Sequence, residues 1–438
     1  MRFKSSRPDQ NIFSIFNNKK KGNMKKLGVL VLAVLFLFSL AGIASATNGY
    51  FSHGYSVKNK ALAGAGVALP LDSLSASMNP ASMVFVGTRL DFGLTLFNPN
   101  REYTVRGNPS GQGFGLTPGT VESDSEWFLI PALGFNKMLD DKNSLGVSIF
   151  GNGGMNTDYC TGTFNGSCPT GVDLMQLFLT PTYAVKPHPK HAVGISPILA
   201  YQSFEAQGLR AFGNFSSDAS KLTNNGHDHS FGYGVRVGYL GEVLQDLFLG
   251  ASYQTKIYMS KFDDYKGLFA EQGDFDIPSN WTVGLAYKAT PALTFVADVQ
   301  TIYYSDVNAI SNPLLNNLFS SKLGKDNGAG FGWDDMTIFK FGVQWQSSEA
   351  WIWRGGFSYG EQPIPDKEVL FNILAPGVIE YHATLGVTKE IGTNHEVDFS
   401  VMRAFPKEVK GPNALDPQQT IELRMDQWEF SVGYTYKF

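Results

Sequence analysis

Trp428-Glu429-Phe430-Ser431-Val432-Gly433-Tyr434-Thr435-Tyr436-Lys437-Phe438 closes the chain. Trp428, Phe430, Val432, Tyr434, Tyr436 and Phe438 fall on one face of an extended strand, because successive strand side chains point to opposite sides. Gln427, Glu429, Ser431, Gly433, Thr435 and Lys437 fall on the other. One face is bulky and aromatic, the other small or polar. A soluble sandwich also alternates, but its outer face is rich in Lys and Glu. Rings facing lipid and small polar groups facing a lumen are the pattern of an outer-membrane strand.

Other segments repeat the pattern. Phe339, Phe341, Val343 and Trp345 alternate with Lys340, Gly342 and Gln344; Trp351, Trp353 and Phe357 alternate with Ile352, Arg354, Gly356 and Ser358; Phe231, Tyr233, Val235 and Val237 alternate with Gly232, Gly234 and Arg236. Working outward gives about fourteen strands, starting near residues 88, 126, 143, 172, 191, 230, 246, 279, 292, 336, 350, 379, 395 and 421. Their connections alternate between short (around 140–142, 187–190, 244–246, 290–291, 348–349 and 393–395) and long (98–125, 153–171, 206–229, 259–278, 305–335, 361–378 and 407–420). Short periplasmic turns and long outer loops are the plan of such barrels. The expected fold is all-β, an antiparallel transmembrane barrel of about 14 strands over residues 88–438.

Composition agrees. Only 17% of the 438 residues are charged and 13% are aromatic, with 47 glycines; ordinary domains carry about 25% charged residues and about 7% Gly. A net charge of −4 argues against nucleic acid, which needs a cationic face. Two cysteines, Cys160 and Cys168, exclude a disulfide-built scaffold and a Cys-only zinc site.

The N-terminus reads as an address. Met24-Lys25-Lys26, the apolar run Leu27–Ile43 and Ala44-Ser45-Ala46 make a basic, an apolar and a cleavage region of a signal peptide. Residues 1–46 are assigned to it, with Met24 as the expected true start, because Met1–Asn23 is polar and basic. The remaining 392 residues hold 27 basic and 38 acidic side chains, net −11. Export suits a disulfide between Cys160 and Cys168.

Residues 47–87 carry no clear strand. They are small and flexible, as in Ala61-Leu62-Ala63-Gly64-Ala65-Gly66, and end on Asn79-Pro80-Ala81. A fourteen-stranded barrel has room for a plug, so this segment is expected to fold inward as a hatch. With Phe97-Asn98-Pro99-Asn100-Arg101, Phe128–Gly134, Pro363-Ile364-Pro365-Asp366 and Leu370–Gly377, these residues resemble the outer-membrane long-chain fatty-acid transporter family, which includes aromatic-hydrocarbon channels. The resemblance spans the chain beyond residue 46. It implies capture of apolar substrates by outer loops and release sideways through a kinked third strand. Here that strand holds Gly151, Gly153 and Gly154, and Gly within a strand marks bulges or close approach; the alternative is that these glycines only begin a loop.

A fatty acid needs an apolar slot and a cation for its carboxylate. Arg236, Lys256 and Lys340 face the lumen by parity and are the carboxylate candidates, unless each is paired with an inward acid such as Asp298, Asp398 or Glu429. Phe212, Phe262, Phe269, Leu314, Leu318 and Phe319 in the long loops are the capture candidates; packing of loop on loop is the alternative. No catalytic residues, cofactor or metal site are expected. His227-Asp228-His229 is the one tight cluster with metal-binding residue types. There is no H-E-x-x-H or P-loop pattern, and the G-x-S-x-G match at Gly356-Phe357-Ser358-Tyr359-Gly360 lies inside an alternating strand and not at a strand-to-helix elbow, so an outer-membrane lipase ranks low, and the small-residue hatch ranks a hydrophilic porin low. The reading is passive outer-membrane transport of hydrophobic compounds, long-chain fatty acids first and neutral aromatic hydrocarbons as the alternative. The expected partners are that substrate and outer-membrane lipid.

Overall fold

The computed structural model describes residues 47–111 and 113–438; the signal peptide and start site assigned to residues 1–46 lie outside them. Fourteen strands form the wall: β1 (Arg89–Arg106), β2 (Phe128–Met138), β3 (Asn143–Tyr159), β4 (Thr170–His188), β5 (His191–Gln207), β6 (Asp228–Leu244), β7 (Leu247–Gln254), β8 (Asn280–Thr290), β9 (Leu293–Ile302), β10 (Met336–Ser348), β11 (Trp351–Gly360), β12 (Tyr381–Ile391), β13 (His395–Pro412) and β14 (Thr420–Lys437). Each pairs antiparallel with its neighbour in sequence, and β14 pairs back onto β1, which closes the barrel. Closure leaves no open edge, so the wall amides pair along ladders where lipid offers no partner. Two short strands, Gly119–Glu122 on β1 and Tyr258–Met259 on β6, extend the wall outward.

The dyad pattern becomes inside and outside. Trp428, Phe430, Val432 and Tyr434 on β14 are exposed, while Gln427, Glu429, Ser431 and Thr435 between them are buried. Trp351, Trp353 and Phe357 on β11 face out, with Arg354 and Ser358 facing in. The strand starts fall within two residues of those read from alternation.

Residues 47–87 are almost wholly buried and touch the wall on many sides. A helix α1 (Val57–Lys60) is capped by Ser56, whose side chain accepts from Asn59 N. Two 3-10 turns follow at Ser73–Ser77 and Pro80–Phe85, capped by Asp72 and Asn79. Pro at the first helical position costs nothing, because its missing N–H has no intrahelical partner there. The glycine-rich lumen face exists for this segment. A Cβ on Gly238 would lie 2.1 Å from Asn79 Oδ1, and one on Gly194 would lie 2.4 Å from the Pro80 carbonyl carbon.

Candidate functional site

Three regions matter: the hatch and its anchors, the seam beside β3, and the cavity under the outer loops.

Asn79 anchors the hatch. Its Nδ2 donates to Val67 O and to Tyr239 O on β6, both at 2.8 Å, and its Oδ1 accepts from Ala81 N at 3.1 Å. Asp298 on β9 accepts from Gly66 N and Val67 N at 2.7 and 2.9 Å. Lys58 pairs with Glu396, Lys60 with Glu429 at 2.9 Å, and Arg89 with Asp91 and Glu396 at 2.7 and 3.0 Å. These ions are buried, where breaking one partner costs far more than at a surface. His53, buried within the hatch, stacks 5.8 Å from His382 on β12. Burial, then the charges of Lys60 and Lys340, hold its pKa well below the ordinary value and keep it neutral.

The β2–β3 seam is incomplete. Pairing runs from Met138↔Ser144 to Ala132↔Phe150 and stops, although β2 continues to Phe128 and β3 to Tyr159. Pro131, the next residue of β2, has no N–H to extend a ladder. On β3 the register with β4 slips between Gly151 and Gly153, leaving Asn152 as a bulge. Above the slip, β3 pairs with the hatch instead: Phe51 bridges Gly153, Ser52 N donates to Asn152 O at 2.9 Å, and Gly154 N to Tyr50 O at 3.0 Å. Gly153 is required for this approach, since a Cβ there would sit 1.9 Å from Tyr50 O. The Asn152 side chain accepts from Tyr55 OH at 3.1 Å and donates to Gln176 at 2.9 Å. The seam closes again where Asp124 N meets Asp158 O at 2.8 Å. What remains is a window in the β2–β3 ladder, with Tyr50 and Phe51 of the hatch bonded to its β3 side. Gly151, Gly153 and Gly154 all lie on its β3 side. A narrow, mostly apolar cleft with a volume of only ≈ 20 Å³ lies there, bounded by Phe97 and Arg101 of β1, Met155 of β3, Trp333 and Pro376.

The second cavity, a tight space of ≈ 20 Å³, lies under the outer loops and is lined by apolar residues throughout. Phe212 and Phe269 line it. Phe262 stacks behind Phe269 at 6.1 Å, and Leu314 and Leu318 are buried in the same cluster. Phe319 is 67% exposed and packs only at the rim against Phe215. Leu374 and Phe371 also line the cavity; their loop turns inward because Tyr159 OH and Thr157 Oγ1 on β3 donate to Ile373 O and Leu374 O at 2.9 and 2.8 Å.

The structure separates the three sequence-chosen cations. Lys256 lies beyond the end of β7, salt-bridged to Asp276 at 2.9 Å and donating to Asp306 O. Burial alone lowers its pKa; the Asp276 carboxylate overrides this and raises it. Arg236 and Lys340 line a polar cavity between the hatch and the wall. Arg236 donates to the hatch carbonyl of Ser77 and to Gln254, and Lys340 to the His53 carbonyl at 3.3 Å. His227, Asp228 and His229 do not converge: His227 meets Asp173 and Glu205 at 3.0 and 3.1 Å, Asp228 accepts from Asp264 N, and His229 meets Tyr201 OH. Cys160 and Cys168 hold their sulfurs 3.6 Å apart in an exposed loop, both as free thiols.

Comparison with known proteins follows this geometry. Residues 37–438 match the family described as outer membrane protein transport protein (OMPP1/FadL/TodX). No curated protein matches the chain. Among solved structures, the fold is similar to the toluene transporter TodX of P. putida (16% identity, 88% of this chain and 99% of that one, TM-score 0.66). It is similar also to a FadL homologue of Pseudomonas aeruginosa (17%, 89% and 100%, 0.67) and to the toluene transporter TbuX of Ralstonia pickettii (18%, 88% and 99%, 0.58). The chain belongs to the OMPP1/FadL/TodX family of outer-membrane transport proteins, β-barrels that carry hydrophobic compounds.

Proposed function

We propose that this member carries long-chain fatty acids, caught in the loop cavity and released sideways through the window between β2 and β3. The observation that supports this most is the adjacency of the two cavities. Phe331, Leu374 and Phe371 line the outer one, and Trp333, Ala375, Pro376 and Gly377, next to them in sequence, line the cleft at the window. An alkyl chain leaving the first follows this segment to the second. Burial of each CH₂ is worth about 0.8 kcal/mol, so apolar lining at both ends favours an alkyl chain over a hydrophilic solute. Arg236 and Lys340 meet a carboxylate in this reading only after the hatch moves, since both donate to hatch carbonyls.

A second reading, uptake of neutral aromatic hydrocarbons, is favoured by the ring cluster of Tyr50, Phe51, Tyr304 and Trp333 and by likeness to proteins described as toluene transporters. The test is oleate binding to purified protein in detergent, with methyl oleate and toluene as competitors. Saturable oleate binding, weaker for the ester and for Phe212→Ala, supports the first reading. Toluene binding without oleate binding moves the assignment to the second, and binding of neither overturns both.

A further inference from the structure

We infer that Arg101, at the window, is the cation that receives the substrate carboxylate on its way out; this rests on the lateral-release reading above. Arg101 is 4% exposed and lines the cleft with Phe97, Met155 and Trp333. An apolar cleft is an expensive place for an unpaired guanidinium. The other buried cations beside the hatch have partners: Lys58 pairs with Glu396, Lys60 with Glu429 and Arg89 with Asp91, and Arg236 and Lys340 donate to hatch carbonyls. Among the described residues, Arg101 has no carboxylate within ion-pair distance. Glu126 and Asp173 act on it only from further away. Its Nη2 donates to the Ser125 carbonyl and, at 3.4 Å, to Ser123 Oγ, while its Nε is buried with no acceptor at all. The guanidinium also sits over the Phe128 ring, 5.7 Å from its centre, and Phe128 is the first residue of β2, at the edge of the window.

The site thus has the two parts an amphipathic acid requires. The cleft takes the chain, and the free Nε–H offers a charge-assisted bond to a carboxylate oxygen, stronger than a neutral one. Arg236 and Lys340 differ in placement, lining a polar cavity bounded by β6, β8, β9 and β10. A neutral hydrocarbon has no carboxylate to accept from Arg101, so this residue favours acids over hydrocarbons within one apolar route.

The experiment compares uptake of oleate and methyl oleate by cells that depend on the full-length protein, for wild type, Arg101→Met and Arg101→Lys. Surface level and heat-modifiable mobility are matched first. We expect oleate uptake to fall about tenfold in Arg101→Met, the loss of one charge-assisted bond. Methyl oleate uptake should stay unchanged, and Arg101→Lys should recover part of the oleate rate. An equal fall for acid and ester, or no fall for oleate, overturns the role of Arg101 and leaves lateral release standing. Wild type that carries the ester but not the acid also overturns it. Wild type that carries neither removes the proposed function itself. If Arg101→Met does not reach the surface, Arg101→Lys carries the test, with a selective loss of oleate expected and an equal loss of both overturning the inference.

Discussion

Two seams of the same barrel behave differently. Between β14 and β1 the register runs unbroken from Arg89↔Lys437 to Arg106↔Thr420. Between β2 and β3 it ends at Ala132↔Phe150, and the hatch supplies the next hydrogen bonds. The first seam is covalently remote, joining the two ends of the wall, so only a long ladder holds it shut. The second joins strands linked by a turn at 139–142, so it survives with part of its ladder missing. A barrel that must stay closed and yet let an apolar molecule out sideways places its weak seam where the chain itself keeps the strands together.

The largest expected effect comes from breaking the strong seam. Val432→Pro removes an N–H in mid-ladder, and an unsatisfied backbone group in lipid costs several kcal/mol. Heat-modifiable mobility should show loss of the folded barrel, whereas Pro131 on β2 is accommodated at the open seam. Asn79→Ala comes next. It deletes three hydrogen bonds, about 3 kcal/mol of hatch docking at about 1 kcal/mol each. Limited proteolysis should expose residues 47–87 while the wall stays protected, and uptake should be impaired at equal surface level; an unchanged digest would refute the anchoring role.

Gly153→Ala sharpens the contrast more gently. The new Cβ displaces Tyr50 and costs the Ser52–Asn152 and Gly154–Tyr50 bonds, about 2 kcal/mol. Faster amide exchange is expected at Ser52 and Gly154 but not along β14. The smallest effect is on pH. His53 is held neutral in the folded hatch, with Lys60, Lys340, Glu429 and His382 around it. The undocked segment binds a proton below about pH 6.5 and the docked one does not. Hatch docking therefore weakens as pH falls below that value, by up to about 1.4 kcal/mol per pH unit. Amide exchange at residues 48–55 between pH 7.5 and 5.5 checks this, and His53→Gln should flatten the dependence.

Much of the wall was legible because period two is local: each strand of β10, β11 and β14 announces its lipid face in its own residues. Asn79-Pro80-Ala81 was legible as a turn motif, although its partner on Tyr239 is 160 residues away. The glycines of β3 marked the place of the bulge but not its neighbour, since only the missing β2 ladder turns a bulge into a window. Arg101 was overlooked for a related reason. It shares the inward parity of Phe97, but nothing local shows that β2 ends at Phe128 and leaves it facing an apolar cleft. Phe371 and Leu374 were read only as part of a family motif; the hydrogen bonds from Tyr159 and Thr157 that draw them inward join segments more than 200 residues apart.

The central claim is that substrate leaves through the unpaired stretch of β3. Deleting Asn152 removes the bulge that kinks β3 against β4 and so straightens the strand where its ladder with β2 stops. Oleate uptake by cells carrying this deletion, at matched surface level and heat-modifiable mobility, is the most direct test. The account predicts uptake falling to the level of cells without the protein; uptake equal to wild type would contradict it.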